Sequence, residues 1–382
     1  MDTLRGELVE QSLPHCSFPL LILLEELRGF KSTVASDKIY GILGMVDHPL
    51  EVDYNKSPEQ IFTDLTISYL NTGSLEILHH CVAVPNKTSA LDLPSWVPDW
   101  TQSGYVEPFS RRGLEAHAGG NTRPSFAIAD RTLKIKGRLL DTIAAIGTVK
   151  RIPPPRLATT VPVTDPGAPT ANPDDLALIN PAERAKQRNI AMYGNIVDAF
   201  REMLGLAFPD KDLAAATTTE YDAFWRTYMC NRTRDNDVPD PIVGEAFDTF
   251  LAHTLRDVPV EEHLHARAAH QVAEHGRPVE EAEAWIARRR DAYNILTGSN
   301  SKWAHNRRFF RSEGGRFGWA VDGTRVGDVV AVFEGGDFPF VLREDSEPDK
   351  YRIIGDCYIH GFMEGEGMTD EFAEKETEIC VI

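Results

Sequence analysis

The chain shows two-residue hydrophobic alternation in two places only, at 125–148 and again from about 308 to 361, and everything between them reads as something else. In "SFAIADRTLKIKGRLLDTIAAIG", Phe126 and Ile128, then Leu133 and Ile135, alternate with polar residues around a tight turn at Asp130 and Arg131. That pattern predicts a hairpin running on into a further strand. "RFGWAV", "DVVAVFE", "FPFVLRE" and "YRIIGDCYIHG" repeat the alternation, separated by short turns containing Gly or Asp. An isolated hairpin is barely stable in water, so the two blocks are expected to pair with each other and close a small barrel. The intervening residues then form an insertion, and the chain is discontinuous in its folding.

The expected fold class is therefore α+β: an N-terminal helical region, a small antiparallel barrel-like sheet, and a helical insertion between its strands. Residues 1–104 are expected to be the helical segment, with 105–150 and 305–368 forming the barrel. The stretch "RIPPPRLATTVPVTDPGAPTANPDD" has almost nothing to bury, so 151–180 is expected to be a disordered proline-rich loop. Helical periodicity follows over 181–304, with helices predicted at 181–206, 219–231, 241–256, 260–275 and 278–297. Residues 369–382 are expected to be a flexible tail.

Three N-terminal helices can be read in more detail. Pro19 opens an apolar helix over 19–31 whose face carries Leu20, Leu23, Leu24 and Leu27. Ser36 stands where a cap for "DKIYGILG" belongs, and Gly44 where that helix should stop. "NKSPEQIFTDLTISYLNTG" carries Ser57 as cap, Pro58 at the first helical position and Gln60 to complete a capping box.

Composition narrows the function. A formal net charge of -18 over 382 residues argues against nucleic acid and anionic membrane surfaces as partners. The apolar run after Pro19 is too short to span a bilayer. The five cysteines are odd in number and scattered, without a Cys-x-x-Cys pair, which fits a reducing compartment and a cytoplasmic location.

No motif commits the chain to a cofactor. The glycines of "KIYGILG" lie within and after a helical pattern, so they end a helix rather than cradle a phosphate. Those of "RSEGGRFGWAVDGTRVGD" fall where hairpin turns need them. The histidines of "EEHLHARAAHQVAEH" lack the four-residue spacing of a helical metal pair, and a solvated helix accounts for them. Trp96, Asp99 and Trp100 in "LPSWVPDW" either line a ligand pocket or anchor a core, with Asp99 holding the donors of a turn. Core anchoring is the commoner fate of such residues.

Taken in order, "ASDKIYGILGMV", "VDYNKSPEQIFTDLTISYLNTGSLEIL" and "LPSWVPDW" resemble the stretch that follows the core of fungal heterokaryon incompatibility proteins. "RRFFRSEGGRFGWA", "GTRVGDVVAVFEGGDFPFVLR" and "YRIIGDCYIHGFMEGE" resemble that family's C-terminal module, and "FWRT" at 224–227 a weaker helical motif. The motif positions are Asp37, Lys38, Tyr40, Gly41 and Gly44, then Gly327, Asp328 and Gly361. The family wording Asp-Pro-Arg-Asp-Lys-Ile-Tyr-Gly is met with Ser36 in place of Arg and without the proline. The family's upstream core, with its Tyr-x-Ala-Leu-Ser-Tyr-x-Trp-Gly and Trp-x-Asp-x-x-Cys-Ile-Asn-Gln stretches, has no counterpart here.

The resemblance implies a non-catalytic accessory or regulatory module for self/non-self recognition and cell-death signalling. Its expected partner is a protein, the missing N-terminal core included, docked on an open Leu20–Leu27 face. An NAD-cleaving or other hydrolase is the alternative, with Asp37, Asp53 or Asp99 in a pocket. A truncated or degenerate paralogue is another.

Overall fold

The computed structural model describes residues 20–46, 50–85, 89–102, 106–149, 197–210, 215–256, 258–275 and 278–382. The proline-rich stretch expected at 151–180 and the first part of the helix expected at 181–206 lie outside the described residues. The chain divides into two compact units, Met1–Ala144 with Ser312–Ile382, and Ala145–Arg311.

The first unit opens with three helices: α1 (Leu20–Glu26), α2 (Asp37–Leu43) and α3 (Pro58–Asn71). α3 starts as its sequence dictates. The Ser57 hydroxyl accepts from the Gln60 N–H, and the Gln60 side chain accepts from the Ser57 N–H. Two donors that a helix start leaves orphaned are thus satisfied together. Ser36 behaves differently from expectation. Its backbone is already helical (φ -60°, ψ -28°), and its side chain makes no capping bond. The turn begins earlier, because the Asp37 N–H bonds to the Val34 carbonyl at 3.1 Å.

The strands are β1 (Phe126–Ala129), β2 (Thr132–Val149), β3 (Arg308–Ser312), β4 (Phe317–Ala320), β5 (Val329–Phe333), β6 (Phe340–Glu344), β7 (Lys350–Ile359) and β8 (Glu376–Val381). Asp130 and Arg131 both take positive φ (47° and 67°), which the two-residue loop between β1 and β2 demands. β2 is the organising strand. Its start pairs with β1 and β8, and its middle pairs with β5 through Gly137↔Phe333 and Leu139↔Ala331. β5 pairs with β6, β6 with β7, and β7 runs parallel to β8 at Lys350↔Cys380. The ring β2–β5–β6–β7–β8 therefore closes on itself, which removes exposed sheet edges. β4 pairs with the far end of β7. Close approach at the β2–β5 crossing requires Gly137, since a Cβ there would sit 2.5 Å from the Val332 carbonyl oxygen.

Leu133, Ile135, Ala331, Phe333, Phe340, Leu342 and Ile353 face the same way around this ring and pack on the helices. Residues 369–382, expected as a flexible tail, instead supply a strand. Ile379 and Val381 are buried in the same core, and the Ile382 carbonyl accepts the Ser95 N–H at 2.9 Å. The alternation in "ETEICV" is too short to stand out beside its acidic neighbours, and only ring closure gives it a place.

The second unit is helical: α4 (197–207), α5 (Thr218–Tyr228), α6 (Ile242–Glu245), α7 (Phe247–Arg256), α8 (Val260–His275) and α9 (Val279–Trp303). Its core is aromatic. Phe200, Phe224, Tyr228, Phe247 and Phe250 meet at centroid distances of 5.0–6.1 Å, mostly edge to face. Gly244 lies flat against Trp225, where a Cβ would be 2.6 Å from the indole. No helix among the described residues is long and apolar enough to cross a membrane.

Candidate functional site

The motif residues of α2 act as ties. Lys38 donates through Nζ to the carbonyls of Arg28 (2.9 Å) and Phe30, holding the end of the α1 turn. The Tyr40 hydroxyl accepts from the Asp53 N–H and donates to the Asp53 carbonyl, both at 3.1 Å. Asp37 accepts from the Tyr54 hydroxyl at 3.1 Å. Three side chains of "DKIY" thus fasten the segments on either side of one short helix. Gly41 is exposed with open space around it, and Gly44 ends α2 with an ordinary helical backbone (φ -67°).

Beneath this helix pair sits a buried polar cluster. Arg28 is 4 % exposed; its guanidinium donates to the Asp99 carbonyl (2.8 Å) and the Gln102 carbonyl (3.0 Å) and lies 5.0 Å from the Trp100 ring centre. Glu25 Oε2 lies 3.1 Å from His80 Nδ1 and 4.0 Å from an Arg28 nitrogen. The His80 and Trp100 rings are 5.2 Å apart, and neither His80 Nε2 nor Trp100 Nε1 finds a hydrogen-bond partner among the described residues.

Burial decides the protonation here. It lifts the Glu25 carboxyl to about 7, against the opposing pull of Arg28 and Arg111 and with help from Glu26 and Asp356. It drops His80 to about 3, with Arg28 reinforcing the effect. At neutral pH His80 is uncharged in spite of its close carboxyl neighbour, and a single proton lies between Nδ1 and Oε2. Burial likewise lowers Arg28 to about 10 and pushes the Cys81 thiol far up, so that it stays protonated. The opposite wall is the ring strand β7, whose Asp356 is fully buried and accepts the Phe109 N–H at 2.8 Å.

The three residues expected as a pocket are divided between two places. Trp100 belongs to the buried cluster. Asp99 caps its own turn, accepting the Thr101 N–H (2.9 Å) and hydroxyl (2.6 Å) on one oxygen and the Ser89 hydroxyl (2.6 Å) on the other. These bonds hold its carboxyl below the usual range although burial alone would raise it. Trp96 faces the other way. It is fully buried, donates to the Arg131 carbonyl at 2.9 Å, and lies under a surface groove of about 280 Å³ that α3, Asp92, Ile128 and Arg131 border.

The Leu20–Leu27 face is not open. Leu20, Leu21 and Leu24 are 2–3 % exposed in the core of the first unit, and Leu23 and Leu27 are half-buried against it. The large apolar side chains that do stand out in this region are Phe30, Val34, Met45, Val52 and Tyr54, on either side of α2.

The remaining motif positions are structural in geometry. Gly327 takes φ 90° and donates to the Ile143 carbonyl; Asp328 is 3 % exposed and holds Arg343 through two bonds of 2.8 Å. Gly361 takes φ 86° after β7. In the second unit Phe224 of "FWRT" joins the aromatic core, and Arg226 is fixed by Asp222 and Asn231. Among the α8 histidines, His263 Nδ1 lies 3.3 Å from the Thr249 hydroxyl and exposed His265 4.0 Å from Glu261.

Sequence reasoning missed Glu25, Arg28, His80 and Asp356. A signal existed for two of them. Leu21, Leu24, Glu25 and Arg28 share one helix face, so charge stood on the apolar stripe.

Residues 260–378 match the Het-6 beta-barrel domain. The matched region holds β3 to β7 and the first half of β8, whereas the ring also needs β2. The chain is 24 % identical over 366 residues to "Heterokaryon incompatibility protein 6, OR allele" of Neurospora crassa, a match covering 86 % of this chain and 48 % of the relative. The chain thus spans about half the length of that curated protein. No solved structure matches. The chain is thus similar at its C-terminal end to that barrel domain, and along most of its length to that Neurospora incompatibility protein.

Proposed function

We propose that this chain is a non-catalytic accessory or regulatory module in heterokaryon incompatibility, acting through a protein partner in self/non-self recognition and cell-death signalling. The observation that carries this reading is the fate of the carboxylates near the tryptophans. Asp99 caps a turn, Asp37 takes the Tyr54 hydroxyl, and Asp53 accepts from both nitrogens of Asn55. Burial raises the pKa of two carboxyl groups, Glu25, whose side chain is only 9 % exposed, and Glu76 in the turn at 76–80, where Asp337 adds to the effect. A general acid or base needs reach to a substrate as well as a tuned pKa. The exposed side chains around α2 offer the partner surface in place of the Leu20–Leu27 face.

The test is expression in a fungal host beside the Neurospora relative, scoring growth arrest. A shifted incompatibility reaction in the pair, with no arrest from this chain alone, is expected. Cleavage of NAD by the purified chain, or arrest by the chain alone, would overturn the non-catalytic role.

A further inference from the structure

The groove over Trp96 has two walls fixed before any ligand arrives. One is the first turns of α3, set by the Ser57–Gln60 capping box. The other is the β1–β2 turn, where Arg131 grips Asp92 through two 3.0 Å bonds and a third to its carbonyl, while Trp96 holds the Arg131 carbonyl from below. The space, about 280 Å³, falls at the lower limit of small-molecule pockets and suits one side chain better than a cofactor. Ile128 contributes apolar surface, whereas Glu59 and Asp64 place carboxylates along the α3 wall. Asp64 is met by Lys56 at 2.7 Å, but both are about 40 % exposed, so that pair is readily exchanged. Glu59 has no ion-pair partner among the described residues and stands in the first turn of α3.

An apolar base with a carboxylate rim complements a side chain that has an aliphatic stem and a cationic head. We propose that this groove receives an arginine or lysine from a basic segment of the partner protein. The inference rests on the reading of the chain as a partner-binding module and gives that partner its chemistry. The net charge of -18 would speed the encounter with such a segment at low salt.

The probe is a fluorescein-labelled Ala-Arg-Ala-Arg-Ala peptide and its citrulline counterpart, which keeps the shape and loses the charge. Anisotropy titrations with the full chain are expected to show binding of the arginine peptide only, weakening as salt is raised. The E59Q/D64N double variant should bind about fivefold more weakly, the sum of two exposed pairs. I128D should lose binding, with circular dichroism reporting that the fold is kept. E347Q/E371Q removes the same charge elsewhere and should change nothing. Equal weakening in E347Q/E371Q, or equal binding of the citrulline peptide, would sink the groove as a specific site. Growth arrest in the fungal assay reads the wider role separately, because E59Q/D64N leaves the exposed side chains around α2 intact.

Discussion

The two units bury different titratable groups: among the described residues the second buries arginines, whereas the first also buries carboxyl groups and histidines. In the second unit the core is a cluster of aromatic rings, and the charged side chains buried beside it among the described residues are arginines, Arg289 and Arg307. Arg289 reaches Glu245 and lies 4.4 Å from the Trp285 ring, while Arg290 grips Glu261 on the surface with two 2.6 Å bonds. In the first unit Arg28, Glu25, His80 and Asp356 are inside, against the same residues that hold the ring to its helices. An apolar core tolerates changes of solution conditions, because nothing in it titrates. A core with buried charge is tied to pH and to the completeness of its hydrogen bonds. The first unit, with Glu25 and His80 shifted by burial, is therefore the one whose stability is tied to pH near neutrality.

The largest effect belongs to the apolar side. Phe247→Ala empties the centre of the aromatic cluster and should cost about 3–5 kcal/mol. Hydrogen exchange in peptides of α5 and α7 should lose protection while those of β2 and β5 keep theirs; uniform loss would show that the two units are not separate in stability. Next comes Arg28→Met, of similar volume. It leaves the Asp99 and Gln102 carbonyls without their donor and removes the cation beside Glu25, for a cost of about 3 kcal/mol. Loss confined to α1 and the barrel strands would sharpen the contrast, and a neutral outcome would mean that the buried cation is dispensable.

The smallest effect is a slope. The folded Glu25 carboxyl titrates near 7 against 4.5 when unfolded, so between those values the folded state holds the extra proton and stability falls as pH rises. His80 titrates near 3 when folded and 6.5 when unfolded, so stability rises with pH across that window. The two slopes oppose each other from about pH 4.5 to 6.5, giving the first unit a plateau. Glu25→Gln removes one of them. Its melting temperature relative to the parent protein should climb from pH 4.5 to about 7, and a constant difference would break the account.

Much of this fold was legible in advance because its signals are local. Asp130 and Arg131 fill a two-residue turn whatever surrounds them, and Ser57, Pro58 and Gln60 start a helix within one turn of chain. The division of Trp96, Asp99 and Trp100 was not legible. A proline-rich segment states that its aromatics are fixed, but not which side of the chain each one takes. Residues 376–381 failed for a similar reason, since six alternating residues form a strand only where β2 and β7 leave a gap to fill.

By itself the sequence determined the period of each segment, the turn chemistry, and the pairing of two distant strand blocks across a helical insertion. Tertiary structure alone decided that Glu25, Arg28, His80 and Asp356 meet, and that α1 is covered by its own unit. The physical reason is range. Periodicity and capping act over a few residues, whereas the protonation of a carboxyl depends on how much water its neighbours exclude, and those neighbours come from α1, the turn at 76–80 and strand β7, up to 331 positions away in the chain.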